Sequence, residues 1–465
     1  MKLILFFDDH GLNYRSNLTR KSGKPTRISV FRDPYTDKVD LVSSYPNVYY
    51  NKETGKWQLV YNSYWPEHSP VGNMLLLAES DDGLSWTPSD TTDRIAVRDR
   101  LLPHQLLPHE RHGEAATYED PLAKREERYK ALISCLGSNP HEYDSRLYTS
   151  PDCIRWTLQE DVKWVRKGVD LPASVYYNAI RQSYVITCRP RHADRRVGLI
   201  ETKDWKTFSD PVLALQPDAF DTPLAEFYGM PVVIYENYYI GFLWVYHPEL
   251  KQNYKYWDGK IDSQLTYSLN GWHYQRGLRD PFIGNGEPGE ADWGAVKPYK
   301  CIDKGNGKLW IYASGSTHEH GRRPEGSGAI LTYELRKDGF VYLESSGTGE
   351  LATRAVYVDG DRLELNVQCP TGKISVQITD HTGQAIPGFT YEDCQAFTGD
   401  SVSWQPVWKD GANIGQLKGR VIKVEIKLIH GRLYGIRGSF IMLFGSAIAL
   451  HASRPDLVPE QQVGL

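Results

Sequence analysis

Methionine is scarce, with four residues in the chain, and no long stretch repeats apolar residues at helical spacing. Together these absences exclude a helical bundle. No Cys-x-x-Cys pair occurs. Cys135, Cys153, Cys188, Cys301, Cys369 and Cys394 stand singly, without a histidine at ligand spacing. Isolated thiols in a chain of 465 residues read as small buried apolar groups, not as a zinc site or a disulfide framework. No metal and no cofactor is implied.

Long apolar runs are missing too. The opening MKLILFFDDH holds an apolar run too short for the core of a signal peptide, so 3–7 reads as a strand. FIMLFGSAIAL (440–450) is about half the length that crosses a bilayer. The reading is a cytoplasmic chain, or a secreted one whose signal peptide is absent from this sequence, with no membrane partner. Charge of one sign is also lacking. Lys plus Arg number 54 and Asp plus Glu 58, a formal charge of −4 without a basic stripe, which excludes nucleic acid as a partner. Oligomeric state is not legible.

What the chain does contain is a repeat. LLLAESDDGLSWT (75–87), RLYTSPDCIRWTL (146–158), VGLIETKDWKTFS (197–209), SQLTYSLNGWHYQ (263–275) and AILTYELRKDGFVYL (329–343) share one pattern. Each is an apolar strand, a small or polar pair, a turn on Asp, Asn or Gly, and an aromatic. The aromatics Trp86, Trp156, Phe208, Tyr274 and Tyr342 recur at intervals of 70, 52, 66 and 68 residues. A β-branched and aromatic hairpin precedes each unit, as in NVYYNKETGKWQLVYNSY (47–64). Four strands repeated five times predict an all-β fold, a five-bladed β-propeller over 39–345 after an N-terminal strap at 1–38. A single sandwich with coincidental spacing does not explain five copies. After Gly347 the period is lost, and alternating segments such as RVIKVEIKLI (420–429) predict a β-sandwich at 346–440, followed by a loose tail at 441–465.

In a propeller the first strand of each blade starts near the axis, so residues before these strands converge although far apart in sequence. In HGEAATYEDP (112–121) this register sends Glu114 to the axis and leaves Asp120, before a proline, as a turn former. The corresponding positions elsewhere are Ser43 to Asn47 with Tyr45, Asp170, Glu226 with Tyr228, and Glu290, Asp292 and Trp293. Second strands add Arg189, Arg191, His247, His318 and His320. Crowded carboxylates push each other's proton affinities apart, which separates an acid from a base. Guanidinium, imidazole and aromatic groups around them suit a carbohydrate, whose hydroxyls take polar partners and whose C–H face takes a flat ring. The His318–His320 pair lacks an evident third metal ligand, and a structural role or a substrate contact is the preferred reading.

This arrangement resembles the clan of furanosidases formed by glycoside hydrolase families 32 and 43, over roughly 1–440. The resemblance implies that Asp170 tunes and orients, and that Glu226 is the general acid. It also implies a blade-one Asp-Pro pair, at whose position this chain has Tyr45–Pro46. Either another carboxylate (Glu114 or Asp292) replaces that Asp, or Tyr45 attacks as a phenolate with Glu114 as its base. The expected activity is hydrolysis or transglycosylation of fructosyl or arabinosyl furanosides. A propeller-fold polysaccharide lyase or glycoside phosphorylase comes second, and a non-catalytic carbohydrate-binding protein third.

Overall fold

The computed structural model describes residues 2–35, 44–64, 73–108, 112–136, 143–164, 169–190, 194–249, 258–320, 326–454 and 456–460. Side chains at 44, 64, 73, 112–114, 134–136, 143–144 and 170–172 lie outside that description. The chain divides into two compact units. One comprises Met1–Lys24, Gly305–Lys308 and Leu335–Leu465, the other Pro25–Lys304 and Leu309–Glu334. Nearly all regular structure is β. Among the described residues no helix is long and apolar enough to cross a membrane.

The chain opens with β1 (Lys2–Ile4), β2 (Leu12–Ser16), β3 (Thr19–Ser22) and β4 (Thr26–Phe31). In the second unit an antiparallel sheet follows, formed in order by β5 (Ser44–Asn51), β6 (Lys56–Tyr64), β7 (Asn73–Ser80) and β8 (Thr87–Pro88). The next sheet is β9 (His112–Glu119), β10 (Tyr129–Leu136), β11 (Tyr143–Ser150) and β12 (Thr157–Leu158). The third is β13 (Val169–Asn178), β14 (Ser183–Pro190), β15 (Val197–Thr202) and β16 (Val212–Leu215). In the fourth, the first strand is split into β17 (Glu226–Gly229) and β18 (Val232–Tyr235), both paired with β19 (Tyr238–Pro248), which pairs with β20 (Gly259–Ser268). Its outer position is a single bridge, Tyr267 to Gln275. The fifth runs β21 (Ala295–Asp303), β22 (Lys308–Ser316), β23 (Gly328–Arg336), and then back to β4. One bridge, Ile261 to Ala295, joins the fourth sheet to the fifth.

The first strands close a cycle: β5 lies against β9, β9 against β13, β13 against β18, β18 against β21, and β21 against β5. Each sheet in this cycle thus has a neighbour on each face, which is why strands such as β14 are buried along nearly their whole length. Apolar layers fill the gaps. Val60, Leu75 and Leu77 meet Ala131, Ile133 and Tyr148, while Leu132 and Leu147 meet Val175, Ile186 and Ile200.

The repeated turn has one mechanism. Asp82, Asp152, Asp204 and Asn270 each accept hydrogen bonds from the two backbone amides two and three residues on. The residue after each takes a left-handed backbone: Gly83, Cys153, Trp205 and Gly271. Amides donating to the Asp82 carboxylate hold it well below the usual carboxylate range.

The fifth copy departs from this scheme. Tyr342 does not complete the fifth sheet; it lies in the other unit, on β24 (Val341–Thr353), with its ring 5.3 Å from that of Tyr434. The outer place is taken by β4, which pairs with β23 from Phe31–Ile330 to Thr26–Glu334. Just beyond β4, the buried Asp33 carboxylate accepts from Tyr61 Oη and lies 2.7 Å from His104 Nε2, tying this segment to the first sheet. The 1–38 strap is therefore split between the units.

The remaining unit is built on one seven-stranded sheet, ordered β2, β24, β27 (Val421–Met442), β25 (Val356–Asp380) and β26 (Phe397–Trp404), with β1 on β27 and β3 on β24. Val356 is a register partner of both Ile422 and Met442, at opposite ends of β27, so these long strands bend back on themselves. The expected boundary at 345/346 falls inside β24. The expected loose tail instead carries α1 (Ser446–Ser453), whose Ala447, Ile448 and Ala452 pack on Tyr357, Val421, Ile441 and Leu443.

Candidate active site

An aromatic cluster gathers side chains from four sheets of the second unit. Tyr45 comes from β5, Ala173 from β13, Trp244 and Tyr246 from β19, and Tyr299 from β21, with Tyr228 of β17 packed against them. The Tyr45 ring meets Trp244 edge-on at 5.7 Å and Tyr299 at 5.3 Å. Tyr45 has a left-handed backbone (φ 55), inside a register shift between Ser44 and Asn47. A non-glycine residue in that region is strained, and the bulge turns its ring into the cluster.

Charge is arranged around Tyr228. Glu226 opens β17 and its Oε2 accepts from Arg195 Nη1. The Arg195 guanidinium lies 5.5 Å from the Tyr228 ring centre and 5.3 Å from that of Tyr246. Arg189 stands 4.8 Å over the same Tyr228 ring, and the buried Lys297 ammonium is 5.8 Å from it. His320 Nε2 is 3.0 Å from Tyr228 Oη. Tyr246, the register partner of Glu226, donates from its hydroxyl to the Asp258 carbonyl, and burial pushes its phenol above the ordinary range. One residue on, His247 Nε2 lies 3.0 Å from Asp262 Oδ2; that hydrogen bond raises the imidazole above its usual value despite burial.

Of the residues expected from sequence, the structure brings Tyr45, Arg189, Glu226, Tyr228 and His320 together, with His247 beside them. Glu114 and Asp170 lie near the starts of β9 and β13, but their side chains, and all of Arg191, fall outside the described residues. Asp292 is turned to the outer strands instead. It accepts from Arg27 Nη1 of β4 and Tyr333 Oη of β23, each at 2.5 Å, while Glu290 takes Arg27 Nη2 at 3.1 Å. The guanidinium brought by β4 binds both acids. Asn47 is a buried strut to the Thr117 carbonyl. Trp293 carries Lys260 over its ring at 4.5 Å, and His318 Nδ1 lies 2.8 Å from Thr317 Oγ1. Asp120 follows β9 into the hairpin turn, where it is buried beneath Tyr184 and Trp205.

Sequence reasoning missed Arg195 and Lys297. The run RHADRR (191–196) signalled the first. For the second, the signal was a lysine between Ala295 and Tyr299 in an otherwise apolar strand start, since alternate residues share a face.

No family model matches the chain, and no curated protein does. Among solved structures it is similar to one described as a glycoside hydrolase, at 15% identity and a TM-score of 0.46, covering 67% of this chain and 92% of that one. It is similar to the β-1,2-mannobiose phosphorylase from Listeria innocua at 10% identity and a TM-score of 0.44, covering 67% and 98%. The GH32 β-fructofuranosidase of Bombyx mori is 12% identical, with a TM-score of 0.41 and coverage of 86% and 96%. The structural neighbours thus include glycoside hydrolases, GH32 fructofuranosidases among them, at distant identity.

Proposed function

We propose that the second unit is a five-bladed β-propeller, closed by β4, that the first is a β-sandwich, and that the cluster around Tyr228 is the active site of a glycoside hydrolase or transglycosylase. The substrate class is a furanoside of fructosyl or arabinosyl type. One observation carries this reading: Glu226 stands at the start of a first strand, against a guanidinium and among the rings of Tyr228 and Tyr246. A carboxylic acid beside stacked aromatic faces can hold a sugar by its C–H face and protonate its glycosidic oxygen.

In this mechanism the Glu226 proton passes to the leaving oxygen as the bond to the anomeric carbon breaks. A second carboxylate, Glu114 in the preferred assignment, takes the proton of the incoming water or attacks directly. Asp170 orients the ring, and Arg189 and Lys297 hold hydroxyls. The test is release of reducing sugar from a panel of furanosides, with the configuration of the first product followed by NMR.

Phosphorolysis is the second reading, favoured by Arg189, Arg195 and Lys297 grouped on the single Tyr228 ring. Guanidinium and ammonium groups so arranged suit a phosphate nucleophile. The same panel run with and without inorganic phosphate separates the two: turnover that requires phosphate and yields a sugar phosphate establishes the second. Binding without turnover in both conditions leaves a carbohydrate-binding protein.

A further inference from the structure

The segment 216–225 runs from β16 to β17 and displays Phe220 with 84% of its surface exposed, more than any other large apolar side chain among the described residues. The segment is held rigidly. Arg276 grips the Asp221 carboxylate with two hydrogen bonds of 2.6 and 2.7 Å and also donates to Gln264 Oε1 at 2.6 Å. Arg279 grips Asp218 in the same two-pronged way, at 2.7 and 2.8 Å. Asp218 in turn accepts from the Phe220 amide, and the Ala225 amide donates to the Thr222 carbonyl. Two forked arginine–carboxylate pairs fix geometry more strongly than a surface turn requires.

The backbone beneath the ring is thus held, while the ring itself stands in water. Arg279 lies 5.4 Å from its centre, and the Phe220 side chain otherwise remains open. Location supplies the reason for such a display. Phe220 precedes Glu226 by six residues, and Thr222 Oγ1 stands 3.4 Å from Nδ1 of His247, the neighbour of Tyr246. The segment therefore sits at the same end of the fourth sheet as the proposed site. Leu224, four residues on, is 47% exposed. A flat, preorganised ring loses little conformational freedom when a sugar stacks on it.

We propose that Phe220 is a platform at the rim of the site, on which a neutral sugar unit of an oligosaccharide, other than the one being cleaved, stacks its C–H face. This rests on the reading of the Tyr228 cluster as a glycan site. The experiment compares a tetrasaccharide with an aryl monoglycoside in the parent, Phe220→Ala, Phe220→Trp and, as an apolar control in the β9–β10 hairpin, Leu122→Ala. Phe220→Ala is expected to raise KM for the tetrasaccharide about tenfold, the scale of one lost stacking contact, with kcat little changed. The monoglycoside, too short to reach the rim, shows little change; Phe220→Trp restores the tetrasaccharide KM, and Leu122→Ala alters neither. Equal effects on both substrates, or none on either, in a parent that cleaves them overturns the platform and leaves the glycosidase reading standing. A parent that neither cleaves a glycoside nor binds the tetrasaccharide by calorimetry overturns both.

Discussion

Arg195 and Glu226 meet across the third and fourth sheets, with the guanidinium lying over Tyr228 and Tyr246 while it donates to the carboxylate. The pair joins the proposed general acid to the rings proposed to take the sugar. Glu226→Gln keeps the size and a hydrogen-bonding oxygen for Arg195 but removes the titrating oxygen. Turnover is expected to fall by at least ~10²-fold with the thermal unfolding curve unchanged, because a positioned general acid contributes that much. Unaltered turnover in a folded variant rules Glu226 out as the acid.

Asp120 predicts the reverse pattern. Its carboxylate accepts from Tyr184 Oη at 2.8 Å and Trp205 Nε1 at 3.1 Å, and lies 3.7 Å from the buried Lys130 ammonium. Burial already lowers the proton affinity of Lys130. Asp120→Asn leaves that cation with the exposed Glu127 carboxylate, 3.6 Å away, as its ion-pair partner among the described residues, and stability is expected to drop by up to about 3 kcal/mol, the low end for a broken buried pair. Turnover by the remaining folded enzyme should be nearly intact, since Asp120 follows the far end of β9 from Glu114. Denaturant midpoints and initial rates on the same preparation check both halves.

The His247–Asp262 contact carries a pH dependence. A folded-state imidazole raised above its ordinary value near 6.5 binds its proton more tightly than in the unfolded chain. Its contribution to stability is therefore complete below about pH 6.5 and is lost as pH rises through the elevated folded value. Unfolding temperatures across that window should decline in the parent and decline less in Asp262→Asn. The His247 titration followed by NMR should move back toward the ordinary value in the variant. An imidazole that titrates at its ordinary value in the parent refutes the assignment.

Tyr45 tests the alternative nucleophile. If a carboxylate does the work, Tyr45→Phe keeps the ring against Trp244 and Tyr299 and retains appreciable activity. That outcome is expected, since carboxylates are the rule in glycoside hydrolysis and tyrosine the exception. Mass spectrometry of enzyme quenched during turnover of a slow substrate decides the matter: a glycosyl-Tyr45 peptide makes the phenol the nucleophile.

The repeat was legible because one local device recurs. Ser80 with Asp82, Ser150 with Asp152, Thr202 with Asp204 and Ser268 with Asn270 build the same turn from side-chain acceptors within three residues, so short-range sequence specifies it. The closing strand was not legible in the same way. TRISVF (26–31) gains its place from a partner strand near 330, and nothing near it in sequence announces that pairing. The site shows the same division. Glu226 and Tyr228 followed from their position before a repeated hairpin. Asp292 is held by Arg27, which lies 265 residues earlier in the sequence. Arg195 became part of the site only through the contact of β14 and β15 with β17.

The pairing of β4 with β23 has a consequence for how the molecule is made. The strand is synthesised about three hundred residues before its partner β23. Four sheets can form on the nascent chain while β4 waits as an unsatisfied edge, with Ile28 and Val30 on its outer face still exposed after closure. Pairing of such sequence separation is slow, and chains that have not closed present strand edges to one another. The yield of active protein should therefore depend on temperature and crowding during synthesis more than the stability of the finished fold would suggest.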